Sequence, residues 1–364
     1  MPRRRGPDLI LFGAILALLA IGTVMVYSSS AVKGYVQFDD PFHFLKMEVI
    51  WVALGLVAMV GAMAIDFKLL WRFAKPALIL AMVLLVMVKI PGVGREVNGA
   101  YRWIGLGPLS IQPSEVIKLA MILVMARILA NDPYKIRSFR KGLLPILGLL
   151  VVVAVLIMLQ PDLGTTLVIA GTTFFMLIAA GARISHILGL GGSGISLVVA
   201  AIVAEPYRMN RIFAFLDPWS DPSGKGYQTI QALLALGPGG LFGLGLGQSK
   251  QKFLYLPENH TDFIFAMIGE ELGFVGASIV ILLFFLFAWR GFRTAMGAPD
   301  AFTGFLAVGL TSMVSIQAMV NIGVVIGVLP VTGITLPFLS YGGTSLVFTL
   351  LGVGVLLNIS RFVK

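Results

Sequence analysis

Long apolar runs recur along the whole chain and are separated by shorter polar segments. Several of these runs reach the roughly 20 residues that an α-helix needs to cross the hydrocarbon core of a bilayer. The runs predict about ten spans, at residues 9–27, 47–65, 76–90, 113–130, 143–159, 163–180, 187–204, 263–289, 301–328 and 344–359. The expected fold is therefore an all-α polytopic membrane protein, in which residues 1–364 form a single transmembrane domain.

The composition agrees with a chain that lies mostly in lipid. Apolar residues make up 58% of the 364 residues and charged residues only 12%, whereas a soluble domain has roughly 25% charged residues. The first apolar run could instead be a cleaved signal peptide, with its cleavage site at residues 28–31. Because the apolar core of a signal peptide has only about 7–15 residues, we expect this run to remain as a membrane-spanning helix.

The net charge of +10 is better explained by membrane topology than by nucleic-acid binding. Lys and Arg residues cluster in alternate short loops and do not form a basic stripe with interleaved aromatic residues. Basic segments such as residues 3–5 and 135–141 would share one side, which the positive-inside rule identifies as the cytoplasmic side. Both termini are therefore predicted in the cytoplasm, and the long loop between spans seven and eight, at about residues 205–262, is predicted on the outer face.

Several kinds of chemistry have no support in the sequence. The chain has no cysteine, so it can form neither a disulfide nor a thiolate nucleophile. Its three histidines are scattered and match no metal-binding pattern, and no phosphate-loop motif occurs. We therefore expect no nucleotide cofactor.

Ionisable residues near the ends of spans are candidates for function, because a charge inside lipid is costly. Asp262 stands at the start of the eighth predicted span. On a helix it would share one face with four small residues, Ala266, Gly269, Gly273 and Gly276. Small residues mark the face that packs against other helices, so Asp262 would point into the bundle or a cavity. The alternative is an exposed N-cap that stabilises the helix dipole.

Three further ionisable residues lie at the starts of predicted spans. Glu115 and Lys118 follow Pro113 in the fourth span, and their i, i+3 spacing places them on one helix face where they can pair. They form either a structural ion pair or the wall of a polar cavity in which Lys118 meets an anionic ligand. Asp162 precedes the sixth span and is predicted to cap it.

The predicted outer loop is too long for a simple connection and is expected to contain structure of its own. Residues 227–236 have apolar positions at helical spacing and predict a helix at the membrane interface. The glycine-rich residues 237–247 form either a turn-rich or re-entrant loop or a backbone cradle for phosphate. Glu270 and Glu271 would face the cytoplasmic half of the core or a partner helix.

Six motifs in this sequence resemble those of the SEDS family of bacterial cell-wall proteins, which includes FtsW, RodA and SpoVE. They follow the family order over nearly the whole chain: IQPSE at 111–115, QPDLG at 160–164, GPGGLFG at 237–243, LPENHTDF at 256–263, NIGV at 321–324 and PFLSYGG at 337–343. Residues 247–257 lack an insertion associated with RodA, so the chain is closer to the FtsW and SpoVE branch. The resemblance implies a multi-pass protein of the bacterial plasma membrane.

The resemblance implies a peptidoglycan glycosyltransferase of cell division or sporulation. Its substrate would be lipid II, a disaccharide-peptide on undecaprenyl pyrophosphate, polymerised at the outer face. The family pattern makes Asp262 the essential residue and places Glu115 and Lys118 in the same cavity. An inverting displacement of pyrophosphate needs one general base and positive charge for the leaving group, and Asp262 suits the base.

The positive charge and the cofactor have several candidates. Five basic residues could bind the pyrophosphate: Lys118, Arg102, Arg208, Arg211 and Lys252. For the last four, attraction to anionic lipid headgroups is the alternative. Asp162 completes the set of substrate-binding candidates. Asp262 could instead hold a divalent cation, magnesium or manganese, that accompanies the pyrophosphate.

The resemblance also implies a protein partner, a class B penicillin-binding protein that cross-links the new glycan strand. Its membrane helix is expected to dock on the lipid-facing side of spans eight and nine, where four phenylalanines offer apolar surface: Phe284, Phe285, Phe287 and Phe305. Two alternative functions stay open. One is a transporter that flips lipid II across the membrane, and the other is a scaffold that only recruits a transpeptidase.

Overall fold

The computed structural model describes residues 6–97, 100–106, 109–132 and 134–363. Helices dominate these residues. In chain order they are α1 (Leu9–Phe38), α2 (His43–Ala62), α3 (Phe67–Met87), α4 (Pro113–Asn131), α5 (Leu144–Met158), α6 (Leu163–Ala179), α7 (Ile184–Val203), α8 (Pro206–Leu216), α9 (Tyr227–Gly239), α10 (Ile264–Met296), α11 (Ala301–Val325) and α12 (Gly343–Ser360).

Eight of the helices are long and apolar enough to cross a membrane: α1, α2, α3, α5 with the π-helical turn Phe139–Leu143 before it, α7, α10, α11 and α12. Two further helices overlap predicted spans. α6 is apolar but has only 17 residues, and α4 carries buried charged residues within its 19 residues. The alternative signal-peptide cleavage site, residues 28–31, lies inside the continuous helix α1.

The start of α1 is fixed by Asp8, which connects three parts of the chain. Its Oδ1 accepts hydrogen bonds from the amides of Ile10 and Leu11, both at 3.0 Å, as an N-cap residue does. Its Oδ2 lies 2.5 Å from the Arg290 guanidinium of α10. Its own amide donates to Ser360 Oγ at 3.0 Å. The first, tenth and twelfth helices are therefore joined at this end of the bundle.

The segment between α3 and α4 adds a small sheet, which the sequence patterns did not predict, to a fold that is otherwise helical as expected. It contains a three-stranded antiparallel sheet in the order β1 (Gly94–Val97), β2 (Ala100–Leu106) and β3 (Leu109–Ile111). In its register Arg95 is opposite Trp103 and Ile104 is opposite Ile111. The strands are short and their pairing is local, so no long alternating pattern announces the sheet in the sequence.

The bundle has a buried centre and an exposed periphery. In the spanning part of α12, 78% of the residues are buried, and in α11 the fraction is 61%. In the corresponding part of α7, none of the residues whose burial the structure describes is buried. Lipid-facing surface therefore surrounds α7 on most sides, while α11, α12 and α4 lie in the core and carry many of its buried polar residues.

The predicted outer loop contains two helices, α8 and α9, and then irregular chain up to α10. The predicted interfacial helix at residues 227–236 is confirmed as a helix, because α9 covers those positions. α10 is interrupted at Gly273, where φ is 68° and ψ is −165°. A positive φ of this kind suits glycine, since a Cβ would be strained there. The first part of α10 therefore ends at the break, and the longer second part continues to Met296.

Candidate functional site

Asp262 lies in the turn that leads into α10, not on the helix itself. The helix starts at Ile264, its N-cap residue is Phe263, and no side chain caps it. The predicted single helical face from Asp262 to Gly276 is therefore wrong, because the count begins before the helix and crosses the break at Gly273. The N-cap alternative for Asp262 also has no hydrogen bond to support it.

The backbone around Asp262 is held by α11 and by the connection between α11 and α12, residues 326–342. Asn321 Nδ2 donates to the carbonyl oxygens of Asp262 and Ile334, both at 2.7 Å. Ser340 Oγ donates to the Thr261 carbonyl at 2.6 Å. These contacts tie the LPENHTDF motif to the NIGV and PFLSYGG motifs. Three segments that are distant in the sequence therefore fix the position of one carboxylate.

The Asp262 carboxylate is half-buried and accepts no hydrogen bond from any described residue. A Cβ placed on Gly333 would lie 3.6 Å from Asp262 Oδ2, so the α11–α12 connection runs directly beside the carboxylate. Burial and the negative charge of Glu258 raise the pKa of Asp262 to about 7, against the opposing effect of Arg211 and Arg102. A carboxylate with a pKa near the working pH can act as a general base.

Two of the predicted arginines lie near Asp262, and backbone carbonyls hold both of them. Arg102 of β2 donates from Nε to the Gln160 carbonyl at 2.9 Å and from Nη2 to the Pro161 carbonyl at 2.6 Å. Arg211 of α8 donates from Nη1 to the Val331 carbonyl at 2.8 Å. Neutral carbonyl partners orient a guanidinium without cancelling its charge. Both arginines therefore retain a positive charge close to the carboxylate.

Asp162 belongs to the same neighbourhood, where its charge raises the pKa of Asp262. Its Oδ1 accepts from the Thr165 amide at 2.9 Å and its Oδ2 accepts from Thr165 Oγ1 at 2.8 Å. The predicted cap of α6 is therefore confirmed. Because both of its oxygens accept hydrogen bonds from Thr165, the main role of the Asp162 carboxylate is to hold the start of α6 beside Arg102.

The structure places the other two basic candidates in separate contacts. Arg208 donates from Nη1 to the Ala201 carbonyl at 2.8 Å, at the end of α7. The Lys252 ammonium donates to the Gly247 carbonyl and lies 5.8 Å from the centroid of the Phe253 ring. Neither residue is among the charges that shift the pKa of Asp262. Their roles toward a substrate stay predictions.

Glu115 and Lys118 form the predicted ion pair. Lys118 Nζ lies 2.8 Å from Glu115 Oε2, and the side chains are only 4% and 7% exposed. Lys118 also donates to Gln317 Oε1 at 2.9 Å, and Gln317 Nε2 donates to the Thr335 carbonyl at 3.0 Å. A chain of polar contacts therefore leads from the ion pair, through α11, to the connection that runs beside Asp262.

His260 is a functional candidate that the sequence reasoning missed. Its ring is buried against Phe44 and Tyr341, at centroid distances of 4.9 and 5.7 Å, and its carbonyl accepts from the Tyr341 amide at 2.9 Å. Burial and the positive charge of Lys33 lower the pKa of His260 to about 4. The imidazole is therefore neutral at pH 7 and fixes the turn that carries Asp262.

Glu270 and Glu271 hold the glycine-rich loop. Glu271 accepts from Ser28 Oγ at 2.6 and 2.7 Å and from the Gly247 amide at 3.0 Å. Glu270 accepts from Ser249 Oγ and, at 2.9 Å, from the Lys250 amide. The amides of Leu244 and Gly245 donate to the glutamate backbone carbonyls at 3.0 and 3.1 Å. The loop is turn-rich, and these amides point at protein rather than at a phosphate.

Comparisons with known proteins agree with this architecture. The family described as "Cell cycle protein", which groups FtsW, RodA and SpoVE, matches residues 9–364. Stage V sporulation protein E of Bacillus subtilis (strain 168) is 52% identical over 360 residues, covering 99% of this chain and 98% of that protein. A probable peptidoglycan glycosyltransferase FtsW of Trichlorobacter lovleyi is 46% identical, covering 98% and 94%.

Solved structures show the same similarity in three dimensions. One is a chain of a peptidoglycan synthase complex, from work on the structural coordination of polymerization and crosslinking. It superposes with a TM-score of 0.80 at 34% identity, over 98% of both chains. Another is the rod shape determining protein RodA of Thermus thermophilus, with a TM-score of 0.71 at 32% identity, over 98% of this chain and 97% of that one.

Proposed function

This chain belongs to the family of FtsW, RodA and SpoVE and is a peptidoglycan glycosyltransferase, and we propose that it polymerises lipid II at the outer face of the cell membrane. The observation that carries this proposal is the Asp262 carboxylate, which accepts no hydrogen bond from the described residues and has a pKa of about 7. In this proposal both termini are cytoplasmic, and Asp262 and β1–β3 lie on the outer side.

Asp262 acts as the general base in this mechanism. It takes the proton of the acceptor's 4-hydroxyl as the oxygen bonds to the anomeric carbon of the donor, and the bond from that carbon to pyrophosphate breaks. A single displacement of this kind inverts the anomeric centre and needs no second carboxylate as nucleophile. The neighbouring carboxylates are engaged, because Asp162 accepts from Thr165 and Glu258 Oε2 accepts from Thr261 Oγ1 at 2.8 Å.

Arg102 and Arg211 stabilise the departing pyrophosphate. Both guanidinium groups are oriented by backbone carbonyls before any substrate arrives, and preorganised positive charge lowers the barrier without a cost of reorientation. Lys118 lies deeper and supports the site through Gln317 and the α11–α12 connection. Arg208 and Lys252 do not shift the pKa of Asp262, and in this mechanism they would contact the lipid headgroups or the remote part of the donor.

A divalent cation fits this site only if phosphate groups of the substrate supply some of its ligands. Among the described residues, no group of three or more His, Asp or Glu side chains could hold a metal ion. Mg²⁺ is, however, commonly held by one or two carboxylates together with substrate phosphates. Asp262 would be the protein ligand, and the ion would supply additional positive charge for the pyrophosphate.

The transporter alternative requires a polar passage through the depth of the membrane. Beneath Lys118 lies a cavity of only about 10 Å³, which is room for about one water molecule. Most of its lining is apolar, including Met121, Met125 and Ile169. This lining supports a site that works from one face rather than a path for a disaccharide headgroup.

We propose a class B penicillin-binding protein as the partner, with a revised docking face. Phe284 and Phe287 are buried and pack against Phe338, so the docking face predicted from the sequence is wrong at these two positions. Five of the exposed residues after the break share one face of α10 at helical spacing: Phe274, Ile281, Leu282, Phe285 and Trp289. A partner helix on this face is expected to raise turnover more than it changes lipid II binding, because it shifts a conformational equilibrium.

The purified chain in detergent, incubated with lipid II and scored for glycan strands on a gel, tests the proposal. We expect strands in the absence of nucleotide, and faster synthesis when the partner is added. A second arm with EDTA tests the cation: loss of product that magnesium restores would support it. Translocation of labelled lipid II in proteoliposomes with no strand synthesis would favour the transporter.

A further inference from the structure

A polar pocket lies at the end of α4 that is opposite to Glu115 and Lys118. It has a volume of about 320 Å³ and lies between α3, the end of α4 and the turns that lead into α5. Four basic side chains line it: Lys75, Arg127, Lys135 and Lys141. The carboxylate in its lining is that of Asp132. The pocket therefore carries an excess of positive charge that the glycosyltransferase site does not use.

Internal contacts satisfy only part of this charge. Lys135 Nζ lies 2.9 Å from Asp132 Oδ2. Arg127 donates from Nη1 to the Trp71 carbonyl at 2.8 Å, and its guanidinium lies 5.3 Å from the centroid of the Trp71 ring, contacts that leave its charge in place. Within the described residues, Lys75 and Lys141 form no ion pair or hydrogen bond through their side chains. The ammonium groups of Lys75 and Lys141 are therefore available to bind an anion.

The position of Lys75 makes this arrangement informative. It lies on α3, immediately before residue 76, where the apolar run of the third predicted span begins. An ammonium group within a spanning helix is costly unless it reaches the interface or meets a partner. An anionic group bound in the pocket would supply that partner.

The remaining lining indicates the kind of anion. Val124, Ile128 and Ile146 form an apolar wall. Ile128 is 39% exposed, and Leu144, which lies in the chain between the lining residues Gly142 and Pro145, is 51% exposed, so apolar surface continues from the pocket toward the lipid. A small soluble anion would gain nothing from this wall, whereas a phospholipid would place its phosphate among the lysines and an acyl chain along the isoleucines.

We propose that this pocket binds the phosphate headgroup of an anionic glycerophospholipid of the inner leaflet. The proposal uses the membrane orientation given above but does not depend on the glycosyltransferase reaction. Basic pockets between spanning helices on the cytoplasmic side recognise acidic headgroups in this way. The bound lipid would neutralise Lys75 and Lys141 and hold α3, α4 and α5 together at this end of the bundle.

The test uses the absence of cysteine from the chain. A single Leu144→Cys substitution, labelled with a bimane fluorophore, reports lipid at the edge of the pocket. The protein is placed in phosphatidylcholine nanodiscs that contain brominated phosphatidylglycerol or, in parallel, brominated phosphatidylcholine, and quenching gives their relative association. We expect phosphatidylglycerol to be preferred by at least about fivefold, the factor that one basic residue at an anionic surface contributes.

The variant Lys75→Gln/Lys141→Gln should lower this preference to about one. Its matched control is Arg137→Gln/Arg140→Gln, which removes the same charge from exposed positions of the same region that do not line the pocket. The control should keep the preference. An equal loss in both variants would mean general surface attraction and would overturn the proposal.

Two further outcomes are distinguished in the same experiment. If millimolar glycerol phosphate abolishes the quenching by phosphatidylglycerol at constant ionic strength, the pocket binds a soluble phosphate and the lipid proposal is wrong. If wild-type protein shows no preference but retains an acidic cytoplasmic protein on an affinity column, and Lys75→Gln/Lys141→Gln does not, the pocket is a protein-binding site instead. Size-exclusion profiles of each variant show whether it is folded.

Discussion

Asp262 and the pair Glu270 and Glu271 lie on the same stretch of chain, yet their carboxylates have opposite surroundings. The two glutamates are 1% exposed and accept hydrogen bonds from the hydroxyls of Ser28 and Ser249 and from the amides of Gly247 and Lys250. Asp262 is half-buried, lies near two arginines and accepts no hydrogen bond from the described residues. A buried acid is therefore not evidence of catalysis by itself. The candidate for catalysis is the acid whose oxygens accept no hydrogen bond from the described residues, Asp262.

The largest effect should come from removing the charge of the available acid. Asp262→Asn keeps the size of the side chain but cannot accept a proton, so strand synthesis from lipid II should fall by at least about 10²–10⁴-fold. The melting temperature in detergent should stay close to that of the wild type. Asp39→Asn is the control, because Asp39 is exposed and its left-handed backbone, with φ of 54°, suits asparagine. An active Asp262→Asn protein would exclude both the base and the cation roles.

Glu115 has one charged partner, Lys118. Its carboxylate is therefore intermediate between that of Asp262, which accepts no hydrogen bond from the described residues, and those of Glu270 and Glu271, which accept several. Lys118→Met leaves Glu115 buried and unpaired, which should lower the free energy of unfolding by about 3–5 kcal/mol. The double variant Glu115→Gln/Lys118→Met should recover most of this stability. We expect strand synthesis not to recover with it, because the contact from Lys118 to Gln317 stays lost. Recovery of both quantities would make the pair purely structural.

Substitution of the two hydrogen-bonded glutamates, Glu270 and Glu271, should lower stability more than activity. Glu270→Gln and Glu271→Gln replace one acceptor oxygen by an NH2 group that cannot accept from the serine hydroxyl, and they remove the charge from the hydrogen bond to the backbone N–H. Each should therefore cost about 1.5–3 kcal/mol of unfolding free energy. The fraction of monomer that survives heating, measured by size exclusion, gives the effect. Glu205→Gln, at an exposed position, should change nothing. A variant with normal heat resistance but no strand synthesis would reassign that glutamate to the chemistry.

The smallest effect is a shift in pH dependence. Because the pKa of Asp262 is about 7 and the base must be ionised, kcat/KM should fall as the pH decreases through that value. Arg211 lowers this pKa and Glu258 raises it. Arg211→Gln should therefore move the acid limb to higher pH, and Glu258→Gln should move it to lower pH, by about one unit or less. Shifts in the same direction would show that another group controls the profile.

Local patterns in the sequence predict a substantial part of this structure. The helices follow from the length of the apolar runs, and the Glu115–Lys118 pair and the Asp162 cap follow from spacing along one helix. Asp262 could be selected because it is charged at the start of a span and because of the family motif. These features depend on residues that are close together in the chain.

The features that sequence reasoning missed depend on distant partners. Ser28 lies 243 residues from Glu271, and nothing local indicates that the two meet. The break at Gly273 follows from close packing, because a Cβ there would lie 2.3 Å from the Gly243 amide nitrogen. Phe284 and Phe287 look like lipid-facing residues in an apolar run, since periodicity in a uniformly apolar helix does not identify its buried side.

The break at Gly273 turns the second part of α10 into a lever. That part has a length of about 35 Å, given a rise of 1.5 Å per residue up to Met296. A rotation of about 5° at Gly273 would therefore move its far end by about 3 Å, and Asp8, which is paired with Arg290 near that end, would have to move with it. The first part is anchored by Glu270 and Glu271 to the loop and so cannot rotate with it freely. A partner helix that tilts the second part of α10 would thus strain the hydrogen bonds of Glu270 and Glu271 to the loop. The strength of those hydrogen bonds would decide how much of the movement reaches Asp262.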